Sequence, residues 1–220
     1  MLNQFIPYIL SLPVVLLALS VHEVSHGYVA YKLGDPTANS FGRLSLDPLK
    51  HIDPLGFICM LLFRFGWAKP VPINSRYFKK PRRDIALTSV AGPVSNLLLS
   101  FVFVIIFRFS YEPITANIVK AQITGNVALA NVLWYLYIFI YLAIQMNITL
   151  AVFNLLPIPP LDGSKILYMF LPTRVYFKIT PYERYISIAF MLLLVTGVIS
   201  PLLSTITRYI MNGMFFIVGL

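Results

Sequence analysis

The chain has 220 residues, of which 58% are hydrophobic and 11% are charged, and its formal net charge is +9. Soluble domains carry about 25% charged residues, so this composition and a mean hydropathy of +0.79 exclude a soluble protein and predict a single-domain integral membrane protein. The positive charge does not indicate nucleic-acid binding, because Lys and Arg lie in short loops beside apolar segments. Cys59 is the only cysteine, which excludes an intrachain disulfide and a cysteine metal cluster.

The hydropathy pattern predicts four full membrane spans. The first begins at about Phe5 and ends at Lys32, before the helix-terminating sequence Gly34-Asp35-Pro36. It lacks a basic n-region and a cleavage site, so we interpret it as a retained helix rather than a signal peptide. The other full spans are expected at about residues 85–107, 131–156 and 185–203, with a polar loop at about 108–130.

Shorter segments complete the predicted fold. Residues 55–65 are apolar but too short for a crossing, which needs about 20 residues, so they predict a re-entrant or buried helix. Residues 43–46 alternate and form a candidate β-strand, and 164–171 predict a short amphipathic helix. The expected fold class is therefore an all-α polytopic helical bundle of about four to six membrane helices, with a re-entrant segment and candidate short membrane-associated β-strands. The single domain is divided into a core at about 5–171 and C-terminal helices at about 182–220.

The distribution of basic residues predicts the topology. Ten Lys and Arg lie between positions 32 and 83, two lie in 108–130, and four lie in 165–184. The positive-inside rule then places the N-terminus outside, 33–84 inside, 108–130 outside and 163–184 inside. The C-terminal ends of the first and third spans therefore reach the same, cytoplasmic depth.

An H-E-x-x-H pattern, His22-Glu23-Val24-Ser25-His26, lies near the end of the first span. The i, i+4 spacing puts both imidazoles on one helix face, where they can hold a metal ion, and the glutamate can activate water. Charged side chains within a membrane helix each cost about 2.5–3.5 kcal/mol on insertion scales. This cost favours a functional metal site over a chance match.

A catalytic zinc usually takes three protein ligands, and the third is sought among the remaining His and acidic residues. No Glu occurs between Glu23 and Glu112, which falls in the expected outer loop. Asp162 follows an apolar span in NLLPIPPLDG, where prolines impose a non-helical path that is tolerated at membrane depth only inside protein or beside a watery cavity. Asp162 is therefore a good ligand candidate, with a simple helix N-cap as the alternative. His51 remains open.

With HEVSH in the first span and NLLPIPPLDG after a later one, the chain resembles the site-2 protease family of intramembrane zinc metalloproteases, in particular the small prokaryotic branch without a PDZ domain. Asn154, Pro157, Asp162 and Gly163 keep the order and spacing of the family's second motif. The segments GRLSLDPLKHIDPLG, GWAKPVPIN and AGPVSN also resemble family patterns. The likeness covers about residues 14–165.

The resemblance implies that His22, His26 and Asp162 bind one zinc ion and that Glu23 is the general base and then the proton donor. It further implies that Asn154 lies near the active site, on substrate backbone or a developing oxyanion, and that Asn74 and Asn96 contact substrate or support the site. The expected substrate is a transmembrane protein. The expected location is the prokaryotic plasma membrane, with the active site toward the cytoplasm; no nucleic-acid partner is expected, and the oligomeric state stays open.

Two other classes of function remain. A divalent-metal transporter would also place His and Asp in membrane helices, but it would normally show further ligands along a path, and the chain has only three His. A non-catalytic membrane scaffold is the second alternative, and the presence of Glu23 argues against it.

Overall fold

The structure, a computed structural model, describes residues 6–63 and 66–220. Regular structure in these residues is helical, and one isolated antiparallel bridge joins Ile52 to Ala68. The α-helices in chain order are α1 (Ile6–Lys32), α2 (Thr37–Ser40), α3 (Pro54–Phe63), α4 (Pro81–Ile123), α5 (Val127–Asn154), α6 (Asp162–Phe170), α7 (Thr173–Ile179), α8 (Glu183–Val195) and α9 (Ser200–Ile217).

Three of the described helices, α1, α4 and α5, are long and apolar enough to cross a membrane, and α7 to α9 add a fourth if that bent segment counts as one crossing. The helix predicted at 164–171 is confirmed as α6. The first and third predicted spans correspond to α1 and α5. Position 5, where the first span was expected to begin, lies outside the described residues.

The predicted polar loop at 108–130 is wrong, because α4 continues to Ile123 and α5 begins at Val127. Hydropathy reports the expected solvent around a segment and not its backbone conformation, and a polar segment can stay helical beyond the membrane. At about 1.5 Å per residue, the 43 residues of α4 extend about 65 Å, roughly twice the about 30 Å hydrocarbon thickness. The helix α4 is therefore longer than a single crossing requires.

The span predicted at 185–203 is interrupted, because α8 ends at Val195 and α9 begins at Ser200. The chain bends by 82° between the α7–α8 segment and α9. Gly197 lies within this break at a φ of +73°, in the left-handed region that favours glycine, and Pro201 follows in the first turn of α9. The C-terminal segment is therefore two helices in different directions, and α9 packs against α5.

The polar segment between α1 and α4 is folded without a strand in its described part. Residues 43–46, the candidate strand, have no regular structure. The short apolar segment forms the 10-residue α3, with Leu55 and Ile58 exposed, while positions 64 and 65 lie outside the described residues. Its re-entrant placement stays a prediction. The buried Asp35 carboxylate accepts hydrogen bonds from the backbone of Thr37 at 3.0 Å and of Asn74 at 2.7 Å, and so ties the two ends of this segment together.

The apolar core lies between α4, α5 and α9. Its buried members are Val104, Phe107, Ile114, Ile140, Ile144, Ile148, Val152 and Met211. The helix α1 packs on both α4 and α5, and α6 packs on α4. This arrangement brings the end of the first span and the start of α6 to the same part of α4.

Candidate metal and catalytic site

Three metal-ligand side chains converge where α1, α4 and α6 meet. His22 and His26 lie one turn apart on α1, and Asp162 is the first residue of α6; all three are buried. The Asp162 Oδ2 atom lies 3.2 Å from His22 Nε2 and 3.0 Å from His26 Nε2. Among the described residues this is the one group of three or more His, Cys, Asp or Glu side chains whose ligand atoms lie within 4.8 Å of one another.

The chain positions Asp162 through a tight approach of α6 to the end of α5. A Cβ atom on Gly163 would lie 2.3 Å from the Leu155 carbonyl oxygen and 2.4 Å from that of Leu156. Only glycine fits there, since real Cβ contacts are never so short. The N-cap of α6 is Leu161, so the interpretation of Asp162 as a simple N-cap is wrong: its carboxylate faces the imidazoles.

Gly92 of α4 leaves open the space in front of both histidines. A Cβ atom at this position would lie 2.5 Å from His26 Nε2 and 2.6 Å from His22 Nε2. The helix backbone therefore comes close to the two ring nitrogens, and the missing side chain leaves a small cradle beside them.

The hydrogen bonds behind the rings determine which nitrogens face this cradle. His26 Nδ1 lies 2.7 Å from the Thr88 carbonyl oxygen, which can only accept, so Nδ1 carries the proton. His22 Nδ1 lies 2.6 Å from Asn96 Oδ1, and both amide protons of Asn96 are donated elsewhere, so this Nδ1 is also the donor. Both Nε2 atoms are then lone-pair acceptors in the neutral rings.

Two nitrogen lone pairs and a carboxylate oxygen consequently point at one another. Such an arrangement is repulsive unless a cation lies among the three atoms, and a proton or a metal ion can serve. Two imidazoles and one carboxylate are a ligand set that suits zinc. Each ring also has a hydrogen-bond partner behind it, as metal-ligating histidines almost always do. The residues present therefore fit a bound zinc ion.

The charge of Asp162 is stabilised by its neighbours. Burial raises the pKa of the Asp162 carboxyl, and the positive charge of Lys165 acts in the opposite direction and lowers it. The Lys165 Nζ atom lies 3.3 Å from Oδ1, the oxygen that faces away from the histidines. Lys165 therefore favours the ionised carboxylate, which is the form that binds metal ions.

Glu23 is held by an extended segment at 68–74 rather than by a helix. The backbone N–H of Val71 donates to Glu23 Oε2 at 2.8 Å. The buried Arg43 donates to the carbonyl oxygens of Lys69 at 2.6 Å and Pro70 at 3.3 Å, which fixes the segment from its other side. A further backbone bond of 2.8 Å joins the Lys69 N–H to the His51 carbonyl.

His51 is buried in the loop, where its Nε2 atom lies 2.7 Å from the Ser45 carbonyl oxygen. Within the described ranges it belongs to no metal-ligand group. Its visible contacts therefore support the loop and not the metal site.

The three asparagines predicted near the substrate have different surroundings. Asn96 lies against His22, and its two amide protons go to Ala18 and Asn147, which leaves it no donor for a substrate oxyanion. Asn74 caps a 3₁₀ turn by accepting from the Arg76 backbone at 3.1 Å. Asn154, the last residue of α5, donates to the Leu150 carbonyl at 2.9 Å. The substrate roles of Asn74 and Asn154 stay predictions.

The model of peptidase family M50 matches residues 10–196, most of the chain. The chain belongs to peptidase family M50. This confirms the resemblance to the site-2 protease family, and the match reaches beyond the 14–165 covered by the motifs into α8.

Several curated relatives are similar over most of the chain. A Bacillus subtilis (strain 168) protein named "Putative zinc metalloprotease YwhC" is 44% identical over 202 residues, which cover 89% of this chain and 86% of that protein. "Putative zinc metalloprotease MJ0611" of Methanocaldococcus jannaschii is 31% identical and covers 73% of this chain and 70% of its own. "Putative zinc metalloprotease Rip2" of Mycobacterium tuberculosis (strain H37Rv) is 29% identical, over 81% of this chain and 63% of its own. No solved structure gave a significant match.

Sequence reasoning missed four residues of this M50 site. Gly92 lies in the quoted segment AGPVSN, but nothing in that pattern says which residue faces the imidazoles. The Thr88 carbonyl and the Val71 N–H are backbone groups, which carry no sequence signal of their own. Asn147 did have a signal, because an amide in the middle of an apolar span requires a partner.

Proposed function

We propose that this chain is a zinc metalloprotease that hydrolyses peptide bonds of membrane-spanning protein substrates within the bilayer. The observation that carries the proposal is the convergence of His22, His26 and Asp162 ligand atoms in a buried site beside Glu23. Membership of peptidase family M50 and relatives named zinc metalloproteases support the peptidase activity and the metal. The origin of the two histidines in a long apolar helix supports a reaction at membrane depth.

In this proposal His22 Nε2, His26 Nε2 and one Asp162 oxygen are the three protein ligands. When bound, zinc supplies a Lewis acid that acidifies water and polarises a peptide carbonyl. Because Gly92 of α4 has no side chain, the space next to the ligands stays open. The surrounding burial limits the access of bulk water and strengthens electrostatic interactions within the site.

Glu23 is assigned the proton transfers. Its carboxylate accepts the proton of the attacking water and later donates it to the nitrogen of the leaving amine. The Val71 N–H engages Oε2, so we assign the transferred proton to Oε1. This bond also fixes the orientation of the carboxylate relative to α1.

The membrane orientation of the site and the domain organisation are assigned from the charge and packing of the chain. The ten basic residues between positions 32 and 83 support a cytoplasmic location for the loop that holds Glu23. The packing of α9 on α5 supports one domain for the whole chain. The proposed location is the prokaryotic cell membrane, and the substrate is a transmembrane protein that presents an unwound segment to the site.

The first experiment separates metal binding from proton transfer. The full chain and the Glu23→Gln variant are produced in cells, the membrane proteomes are compared, and zinc per chain is measured after purification in detergent. We expect Glu23→Gln to keep one zinc ion while a single-pass membrane protein accumulates uncut, with cleavage slowed by about 10²–10⁴-fold. Asp162→Ala should lose zinc and cleavage together, and Asp47→Ala, which alters an exposed loop carboxylate, should keep both.

Two results would contradict the proposal. Near wild-type cleavage by Glu23→Gln would remove the general-base role. Stoichiometric zinc in Asp162→Ala would remove Asp162 from the ligand set, and with it the convergence on which the function is argued.

A further inference from the structure

Two fully buried asparagines lie between the helices behind His22. Asn96 of α4 and Asn147 of α5 each have 0% relative exposure, although both helices are predominantly apolar. We propose that Asn147 is a positioning residue for the metal site, which acts through Asn96 to fix the tautomer and orientation of the His22 ring. The inference rests on the proposed role of His22 as a zinc ligand.

The first link is the contact of Asn96 with His22. The Asn96 Oδ1 atom accepts from His22 Nδ1 at 2.6 Å, so the proton stays on Nδ1 and the Nε2 lone pair faces Asp162. If the Asn96 amide rotated by half a turn, it would present N–H groups to Nδ1. The proton would then be driven to Nε2, where it would block the ligand atom.

Two acceptors prevent that rotation. The Asn96 Nδ2 atom donates to the Ala18 carbonyl at 3.0 Å and to Asn147 Oδ1 at 2.9 Å, so a rotated amide would place its oxygen against both. The orientation of Asn147 is itself determined, because its Nδ2 atom donates to the Ala143 carbonyl one turn earlier, at 2.8 Å. The chain of donated hydrogen bonds thus runs from the imidazole on α1 to a backbone carbonyl of α5.

The second histidine provides an internal comparison. His26 donates from Nδ1 to the Thr88 backbone carbonyl, which cannot rotate independently of α4. Of the two imidazoles, only His22 depends on a side chain for its tautomer. A substitution at Asn147 should therefore disturb one ligand and leave the other in place, which predicts weaker but still measurable zinc binding.

The test uses the full chain purified in detergent, with zinc affinity measured by competition with a chromophoric chelator and the Co²⁺ absorption spectrum as a second readout. Asn147→Leu, similar in size but without the amide, should weaken zinc binding about 10-fold, the lower end of the about 10–100-fold typical for partners in direct contact with a ligand. The Co²⁺ bands should shift, because one imidazole is no longer fixed. Asn96→Leu, which removes the direct partner, should weaken zinc binding more than Asn147→Leu does.

Ser100→Ala is the matched control. Ser100 is fully buried one turn along α4 from Asn96, and its hydroxyl donates to the Ile144 carbonyl of α5 at 3.1 Å. The control therefore removes a buried bond between the same two helices without touching a histidine. It should lower thermal stability and leave zinc affinity and the Co²⁺ spectrum unchanged.

A conservative variant tests the chemistry. Asn147→Asp, which burial keeps in its neutral form, retains an oxygen for the Asn96 amide and an O–H for the Ala143 carbonyl. Zinc affinity should therefore stay within about 3-fold of wild type if the acceptor is what matters. Where Asn147→Leu does not fold, Asn147→Ala carries the same test, because it removes the amide without adding bulk. Zinc affinity and Co²⁺ bands like those of wild type in Asn147→Leu or Asn147→Ala would overturn the inference, as would an equal loss in Ser100→Ala.

The same measurements distinguish this inference from the proposed function. If the wild-type chain binds zinc and Asp162→Ala does not, but Asn147→Leu is normal, only the positioning role fails. If the wild-type chain binds no zinc at all, the proposed function fails and the positioning role fails with it.

Discussion

The two sides of the candidate site are built from different kinds of structure. On the ligand side, His22 and His26 are buried and are held from behind by α4, through a side-chain amide and a backbone carbonyl. On the base side, Glu23 is only partly buried, and its visible partner is a single N–H of the extended segment 68–74.

This difference predicts different mechanical behaviour. Helices that pack along their length and bury their polar groups hold a fixed geometry, whereas a segment outside regular structure opens more easily. The ligand side is therefore suited to hold a metal continuously. The base side is suited to rearrange when an extended substrate enters. Substitutions on the first side should affect zinc, and those on the second should affect cleavage alone.

Among substitutions that leave His22, Glu23, His26 and Asp162 in place, the largest effect is expected from Gly92→Ala on the ligand side. The added methyl group would lie about 2.5 Å from His26 Nε2 and fill the space in front of both rings. We expect zinc binding to be lost and cleavage of the substrate identified in the proteome comparison to fall at least about 100-fold, because a displacement near 1 Å already costs about that much. Zinc per chain and cleavage rate check this prediction.

Gly213→Ala is the control for Gly92→Ala. Gly213 lies within α9, and a Cβ atom there would meet nothing within 4 Å. This variant should bind zinc normally and be slightly more stable, since alanine favours a helix by about 1 kcal/mol over glycine. Normal zinc binding by Gly92→Ala would show that the cradle is not the metal position.

A smaller effect is expected from Val71→Pro on the base side. The substitution removes the N–H that donates to Glu23. It places a third proline between Pro70 and Pro72, where the chain already accommodates proline on both sides. A hydrogen bond to a charged group contributes about 1.5–3 kcal/mol, so cleavage should slow at least about 10-fold. Zinc content should stay at the wild-type value.

Val71→Ala keeps the N–H and shortens the side chain, so it should cleave close to the wild-type rate. Loss of zinc in Val71→Pro would break the comparison, because it would show that the two sides of the site are not separable.

The convergence of His22, His26 and Asp162 could be predicted because each of the two motifs is recognisable locally. The i, i+4 spacing of His22 and His26 fixes their common face as soon as the segment is a helix. Asp162 was a ligand candidate because prolines and an acid directly after an apolar span are costly without a role. The two motifs lie 140 positions apart. That they meet at one site could be predicted only from the membrane topology, which the distribution of basic residues indicated.

The rest of the site depends on packing that no local pattern contains. The bond from His22 to Asn96 joins residues 74 positions apart and exists only because α1 and α4 have a particular rotation about their axes. Hydropathy also gave no warning that the segment 108–123 stays helical. By contrast, the bend between α8 and α9 carried a visible signal in Gly197 and Pro201, which the prediction of a continuous span ignored.

The smallest effect is expected from Arg43→Met, which loosens the segment behind Glu23 without touching the carboxylate. Arg43 donates to the Lys69 and Pro70 carbonyls, but the backbone bond from Lys69 to His51 remains, so the segment keeps part of its support. We expect cleavage to slow about 5-fold, corresponding to about 1 kcal/mol for a net hydrogen bond, and zinc to be retained. Hydrogen exchange of the backbone amides at 68–74 should speed up, while exchange in α1 should not change.

Lys50→Met is the control, because Lys50 also donates to a loop carbonyl, that of Gly42, but from an exposed position. Unchanged exchange in Arg43→Met would mean that Arg43 does not hold this segment. A loss of zinc would place Arg43 on the ligand side after all.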